Sequence, residues 1–158
     1  MEDLVRLYAF DVNFNLIILM LAFLVVSSFF SMSETVYSTV SPIRLKTNIE
    51  DGKRGSKKAL WIVEQYDLTL TTILVGNNLA NIALATVSVS FFTSFLPANI
   101  IGIMNTLVMT TIILIFGEIL PKSIARNHAD TISLRISSLF YYIKTNYFYF
   151  LGDQKQNN

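Results

Sequence analysis

The sequence predicts an all-α membrane protein with three transmembrane helices. Of its 158 residues, 53% are hydrophobic and only 15% are charged, which is less charge than soluble domains usually carry. The chain has no charged residue from Val12 to Ser33, and none again from Leu68 to Gly117. A helix needs about 20 consecutive apolar residues to cross the hydrocarbon core of a bilayer, so both runs are long enough to span it. A lipid bilayer is therefore the first partner that the sequence indicates.

The two uncharged runs divide into three spans. The first run gives one span at about residues 12–39. The second run is too long for a single span, and Pro97 and Gly102 interrupt it near its middle. Because proline and glycine favour turns, we predict spans two and three at about residues 68–94 and 103–124.

Basic residues are concentrated in two of the segments outside the spans. The segment between spans one and two and the segment after span three are rich in lysine and arginine, whereas the turn around Pro97 has neither. Short positively charged segments stay in the cytoplasm. We therefore expect an extracellular N-terminal segment (residues 1–11), a cytoplasmic C-terminus and a location in the plasma membrane. The basic residues concerned are Arg44, Lys46, Lys53, Arg54, Lys57, Lys58, Lys122, Arg126, Arg135, Lys144 and Lys155.

The segments outside the spans have helical patterns of their own. Residues 41–67 contain a glycine-rich turn from Asp51 to Gly55 between two short helical stretches, which predicts a cytosolic helical hairpin. Residues 126–150 mix aromatic, basic and aliphatic side chains, which favours a juxtamembrane belt helix in the bilayer interface. The alternative is a fourth span, but two basic residues within the segment argue against it. A polar tail, residues 151–158, follows.

Composition excludes several classes of function. The chain has no cysteine, which excludes disulfides, thiolate metal sites and thiol nucleophiles. A single histidine makes a zinc site a poor explanation. The net charge is only +1, so a nucleic-acid partner has no electrostatic support.

Polar residues recur inside the predicted spans at helical spacing. Ser27 and Ser31 share one face of span one, and Glu34 follows on that face. Asn77 and Asn81 share a face of span two. Residues four apart lie one above the other on a helix. Polar groups at membrane depth are costly and usually face a partner or a cavity, so these faces are candidate functional surfaces.

Structural explanations of the same residues stay open. Serines in membrane helices often bond to their own backbone, and asparagines can hold helices together. Gly76 and Ala80 form a pair of small residues that lets another helix approach closely. Glu34 can lie at the cytoplasmic boundary, paired with a lysine.

Span three contains a carboxylate and a proline close together. Glu118 follows a long apolar run and precedes Pro121. Proline has no N–H, so an α-helix would leave the carbonyl of Gly117 without its donor. Carboxylate, carbonyl, amide and hydroxyl oxygens are hard ligands, which suit Mg²⁺, Ca²⁺ or Na⁺ rather than zinc or copper.

Three motifs along the chain resemble the membrane domain of the CNNM/CorC family. The likeness covers roughly residues 12–145, and the run that contains Glu118 and Pro121 is quite specific. The motifs are Phe30-Ser-Met-Ser-Glu-Thr35, Leu74-Val-Gly-Asn-Asn-Leu-Ala-Asn81 and Phe116-Gly-Glu-Ile-Leu-Pro-Lys122.

The resemblance implies magnesium transport, commonly described as efflux, with inward sodium as the driving ion. It implies a homodimer of three-span protomers, and cytosolic CBS modules that bind adenine nucleotide; this chain stops at Asn158, before any such module. Glu34, Gly76, Pro121 and Lys122 would support the site or act as its hinge. Matched by motif, the residues at or near the cation are Ser31, Asn77, Asn81, Gly117 and Glu118, and helical spacing adds Ser27.

We therefore expect a transporter rather than an enzyme. Magnesium would be its substrate and would cross by alternating access. The alternative is a membrane protein that senses magnesium without transporting it, because both functions need a cation site. An intramembrane hydrolase is weakly supported, since the spans have no histidine or cysteine and Glu34 is the one other carboxylate beside Glu118.

Overall fold

The computed structural model describes the backbone of residues 2–156 and the side chains of residues 13–142. Within that part of the chain the secondary structure is helical, without strands. The helices are α1 (Glu2–Thr39), α2 (Pro42–Glu50), α3 (Ser56–Glu64), α4 (Tyr66–Thr93), α5 (Ala98–Ile112), a π-helical segment (Ile113–Ile119) and α6 (Leu120–Gln156).

Three helical stretches in the described part of the chain are long and apolar enough to cross a membrane. They are Asn13–Thr39, Tyr66–Thr93 and Ala98–Tyr142. Many of their apolar side chains point outward, among them Val25, which is 67% exposed, and Leu79, which is 66% exposed. Such surfaces suit a hydrocarbon environment, so the predicted all-α membrane fold is confirmed.

The third stretch begins earlier than the predicted boundary at residue 103. Pro97 is extended, with φ −64° and ψ 144°, and α5 starts at the next residue. A proline fixes φ near the helical value, so a helix can begin directly beside it. Gly102 lies inside α5 rather than in the turn, with open space where a side chain would be.

The stretch also continues past the predicted end at residue 124. Helix α6 runs to Gln156, with non-helical angles at His128 (φ −129°, ψ 22°). That change of direction lies close to the start of the predicted belt helix, whose place in the bilayer interface stays a prediction. The side chains of the predicted N-terminal segment and of the polar tail lie outside the described residues.

The chain divides into two compact units. The first unit comprises residues 1–31 and 74–121, and the second comprises residues 32–73 and 122–158. The first has a core around Leu84, Phe92 and Met109, to which Met20, Phe23 and Leu24 of α1 contribute. The second buries Tyr37 against Phe140, whose ring lies edge-on at 5.6 Å between centroids.

The hairpin of α2 and α3 belongs to the second unit. Its turn has two glycines with positive φ, Gly52 at 70° and Gly55 at 87°. Gly55 lies directly against the backbone carbonyl of Leu134 in α6, and its own carbonyl accepts a hydrogen bond from Ser137 Oγ at 3.1 Å. The turn is thus fixed to α6 by backbone contacts that a side chain at position 55 would block.

Candidate cation site

Three polar side chains meet in the first unit. Ser27 Oγ lies 3.0 Å from Asn77 Oδ1 and 2.6 Å from Asn81 Oδ1. Ser27 is fully buried on α1, and the two asparagines are partly buried on α4. The two amides reach the same hydroxyl because they are four residues apart on one helix face. We call Ser27, Asn77 and Asn81 the polar cluster.

In the polar cluster two amide oxygens face a single hydroxyl hydrogen. A serine hydroxyl has only one hydrogen to donate, and Oδ1 of both Asn77 and Asn81 lies within hydrogen-bond distance of Ser27 Oγ. Three oxygen atoms thus gather around one hydrogen.

Gly117 lies beside the polar cluster. It is buried in the π-helical segment, and a Cβ built on it would lie 3.2 Å from Ser27 Oγ and 3.7 Å from Leu24 Cδ1. That spacing is tighter than ordinary van der Waals contact, so glycine allows the close approach of this segment to α1. Of the six residues predicted to bind a cation, the structure thus brings Ser27, Asn77, Asn81 and Gly117 together.

The π-helical segment changes which carbonyl loses its donor to Pro121. The Leu120 N–H donates to the Ile115 carbonyl, five residues back. In the same i to i+5 register the missing N–H of Pro121 would have served Phe116, not Gly117 as an α-helix would predict. Ser28 Oγ instead lies 2.8 Å from the Phe116 carbonyl and also 2.8 Å from the Leu24 carbonyl of its own helix, so the two carbonyls share its one hydrogen. Sequence analysis missed both Ser28 and Phe116, because the residue types alone do not indicate a π-helical register.

Glu118 and Ser31 are the other two residues predicted to bind a cation. Glu118 is partly buried and directly follows Gly117, and its carboxylate forms no hydrogen bond or ion pair with another described residue. Ser31 is fully buried, one helical turn after Ser27. In the described part of the chain no three histidine, cysteine or acidic residues gather as a metal cluster.

The four supporting residues have separate roles. Gly76 leaves space for the ring of Phe30, which a Cβ at position 76 would overlap. Pro121 is buried and ends the π-helical register. Glu34 and Lys122 belong to the second unit, where Lys122 Nζ and Glu34 Oε2 form an ion pair at 3.1 Å.

A second pair of the same chemistry lies elsewhere in the first unit. Ser88 is fully buried, and its Oγ donates to Asn105 Oδ1 at 2.6 Å. The serine is on α4 and the asparagine is on α5. This pair has no second amide, and it provides a natural comparison for the polar cluster.

Comparisons with known proteins agree with this architecture. The family model described as the cyclin M (CNNM) transmembrane N-terminal domain matches residues 17–150. A UPF0053 protein of Haemophilus influenzae is 35% identical over 119 residues, which are 75% of this chain and 28% of that protein. The UPF0053 inner membrane protein YfjD of Escherichia coli is 32% identical over 114 residues, 72% of this chain and 26% of that protein.

A more distant lineage has the same domain. A chloroplastic DUF21 domain-containing protein of Arabidopsis thaliana is 34% identical over 110 residues, which are 68% of this chain and 16% of that protein. The chain spans less than a third of the length of each of these three relatives. Because the family model covers most of the chain, the resemblance inferred from the three motifs is confirmed, and the chain belongs to the family of cyclin M (CNNM) transmembrane N-terminal domains.

Proposed function

We propose that this domain transports a divalent cation across the membrane, with Mg²⁺ as its substrate. The observation that carries the proposal is the polar cluster: two amides and a hydroxyl from α1 and α4 meet beside Gly117, in a π-helical segment that also contains Glu118. π-Helical turns occur frequently at functional sites. Membership of the cyclin M family supports the same assignment.

The spacing of the oxygens suits a small ion. Mg²⁺ binds oxygen at about 2.0–2.1 Å, so neighbouring ligands of an octahedral shell lie about 2.9 Å apart. Ser27 Oγ lies 3.0 Å from Asn77 Oδ1 and 2.6 Å from Asn81 Oδ1. Small shifts would place all three oxygens on one face of such a shell. Mg²⁺ usually keeps several waters. The three side chains of the polar cluster therefore need only one or two further protein oxygens, which we propose come from among Gly117, Ser31 and Glu118.

The proposed transport cycle follows from the chemistry of the ligands. Neutral oxygens with one carboxylate bind a divalent ion weakly enough to release it again. The π-helical segment and Pro121 supply a place where span three bends between inward-open and outward-open states. We propose efflux from the cytoplasm, coupled to inward sodium, by a homodimer in the plasma membrane with its N-terminus outside and its C-terminus inside. No enzymatic reaction is part of the proposal.

Magnesium flux in proteoliposomes tests the proposal with matched variants. Ser27→Ala removes the hydroxyl shared by both amides, whereas Ser88→Ala removes an equally buried hydroxyl that is bonded to one amide at the same 2.6 Å distance. We expect Ser27→Ala and Glu118→Gln to lower the flux at least tenfold, and Ser88→Ala to leave it within twofold of the wild type. Each protein is measured with and without a sodium gradient.

Several outcomes would decide against parts of this proposal. Equal flux in the Ser27→Ala and Ser88→Ala variants would show that the polar cluster only holds helices together. Normal flux in Glu118→Gln would remove the carboxylate from the site. Magnesium binding by calorimetry without flux in any variant would support the alternative of a sensor that does not transport.

A further inference from the structure

The tip of the α2–α3 hairpin has a pocket with a strongly positive lining. The pocket has a volume of about 520 Å³ and lies between the hairpin turn and α6 of the second unit. None of the residues that line the pocket is acidic. Four of the lining residues carry positive charge, and we call them the basic pocket: Lys53, Arg54, Lys57 and Lys58.

Most of this charge is not neutralised within the described part of the chain. Lys53 Nζ lies 3.3 Å from Asp51 Oδ2 and 2.7 Å from Asn48 Oδ1. Lys58 Nζ donates to the neutral Ser138 Oγ at 3.2 Å. Arg54 and Lys57 are exposed and have no ion pair among the described residues. The pocket therefore has at least three positive charges available to an anion.

Aromatic side chains continue directly from the basic pocket. Lys58 Nζ lies 5.4 Å from the centre of the Tyr141 ring, and the Tyr141 and Trp61 rings lie edge to face, 5.0 Å between centroids. The adjacent Tyr142 is 69% exposed. Tryptophan and tyrosine concentrate where membrane headgroups meet water. Basic and aromatic side chains side by side are typical of a surface that contacts lipid headgroups.

The connection of the hairpin to the spans keeps the pocket close to the bilayer. Helix α3 ends at Glu64 and α4, which is apolar enough to span, begins at Tyr66. Helix α1 ends at Thr39 and α2 begins at Pro42. With such short connections, the end of the hairpin that joins the spans lies where the two spans leave the membrane. Helices α2 and α3 have nine residues each, so we place the basic pocket within about 14 Å of that surface.

We propose that the basic pocket binds the phosphate of an anionic phospholipid, with Trp61, Tyr141 and Tyr142 in the headgroup layer beside it. The negative charge of a phosphodiester would pair with Arg54 and Lys57, which have no ion pair among the described residues. The guanidinium of Arg54 can bind two phosphate oxygens at once. The inference depends on the membrane fold and is independent of cation transport, so either proposal can fail without the other.

Native mass spectrometry of the full chain tests the lipid preference. The protein is taken from nanodiscs of phosphatidylcholine with a minor share of phosphatidylglycerol, and the bound lipids are counted. The test variant is Arg54→Gln/Lys57→Gln. The control is Lys46→Gln/Arg126→Gln, which removes the same charge from exposed residues outside the pocket. Loss of two charges near a membrane surface weakens the attraction to anionic lipid in both double variants. Because Arg54 and Lys57 would also contact the phosphate directly, we expect the test variant to lose at least tenfold more bound phosphatidylglycerol than the control.

Soluble phosphate forms the second arm of the experiment. Glycerol 3-phosphate is titrated by calorimetry against the protein in nanodiscs of phosphatidylcholine alone, and we expect no saturable binding below millimolar concentration. Tight binding of glycerol 3-phosphate that depends on Arg54 and Lys57 would show a site for free phosphate and overturn the lipid assignment. Equal loss of phosphatidylglycerol from both double variants, or loss from neither, would overturn the pocket itself.

Discussion

The polar contacts within the two units of the molecule join groups of different kinds. In the first unit the polar contacts between helices join neutral groups, such as Ser27 with Asn81 and Ser88 with Asn105. Among the described residues of that unit, 13–31 and 74–121, no ion pair is found. The described residues of the second unit form three ion pairs, between Arg44 and Asp130, Lys53 and Asp51, and Lys122 and Glu34.

The difference shows what each unit can tolerate. Charges are expensive in hydrocarbon, so an apolar unit joins its helices with hydroxyls and amides. Such hydrogen bonds contribute only about 0.6 kcal/mol each on average in a membrane protein, so they can be exchanged at little cost. Such exchange is what the proposed binding and release of a cation would require. The hairpin of the second unit is instead held by close backbone contact at its turn, where no larger side chain fits.

Gly55→Ala should therefore give the largest effect on stability. Gly55 has a φ of 87°, and a Cβ there would collide with the Leu134 carbonyl in α6. Neither the backbone of the turn nor that of a helix can move easily. We expect a loss of about 2–4 kcal/mol in the free energy of unfolding, measured by reversible denaturation in mixed micelles.

Gly52→Ala is the matched control for this change. Its φ is also positive, at 70°, but nothing lies within 4 Å of the position of a Cβ. Only the strain of the left-handed conformation remains, so the loss should be about 1 kcal/mol. Equal losses in the two variants would show that the contact with α6 does not stabilise the hairpin.

The hydrogen bond from Ser28 to the Phe116 carbonyl gives the next largest effect. Pro121 has no N–H to serve this carbonyl in the π-helical register. Ser28→Ala removes a hydroxyl whose one hydrogen is shared with the Leu24 carbonyl, so we expect a cost of at most about 1 kcal/mol. In a Pro121→Ala background the new N–H can replace the hydroxyl, and Ser28→Ala should then cost almost nothing. The free energy of unfolding of the four proteins in this cycle measures the coupling.

A control separates this coupling from a general effect of Pro121→Ala. Thr86 Oγ1 donates only to its own helix, to the Ile82 carbonyl at 2.8 Å. Thr86→Val should have the same effect with proline or alanine at position 121. If Ser28→Ala also lowers the free energy of unfolding equally in both backgrounds, the i to i+5 register does not determine which group donates to the Phe116 carbonyl.

Much of the fold could be predicted from the sequence because hydrocarbon restricts it so strongly. Uncharged runs of sufficient length predict spans, and residues four apart share a helix face, which placed Asn77 and Asn81 together. The polar cluster joins the two faces predicted for spans one and two. That these residues bind a cation stays a prediction.

The features that the sequence did not predict depend on contacts between distant residues. In the π-helical segment the Phe116 carbonyl lies against Ser28, a residue far away in the chain. The start of α5 at Ala98 and the helical Gly102 show that glycine does not end a helix when the neighbouring residues favour it. The contact of Gly55 with Leu134 brings together residues far apart in the chain.

The smallest expected effects on stability are those of the ion pairs of the second unit. For two of these pairs, distance and exposure predict opposite orders of coupling energy. Arg44 Nη1 and Asp130 Oδ2 are only 2.6 Å apart, but the two side chains are 73% and 37% exposed. Lys122 Nζ and Glu34 Oε2 are 3.1 Å apart, with side chains 31% and 28% exposed. Water and salt screen exposed charges.

We expect exposure to decide the order of the two coupling energies. Double-mutant cycles with Gln and Asn replacements should give about 1 kcal/mol for Glu34 with Lys122, and at most about 0.5 kcal/mol for Arg44 with Asp130. Raising the salt concentration to about 0.5 M should remove most of the second coupling and less of the first, because screening acts mainly on exposed pairs. A stronger coupling of Arg44 with Asp130 at both salt concentrations would mean that the short distance outweighs exposure. The half-buried pair would then contribute no more to the second unit than a neutral hydrogen bond contributes to the first.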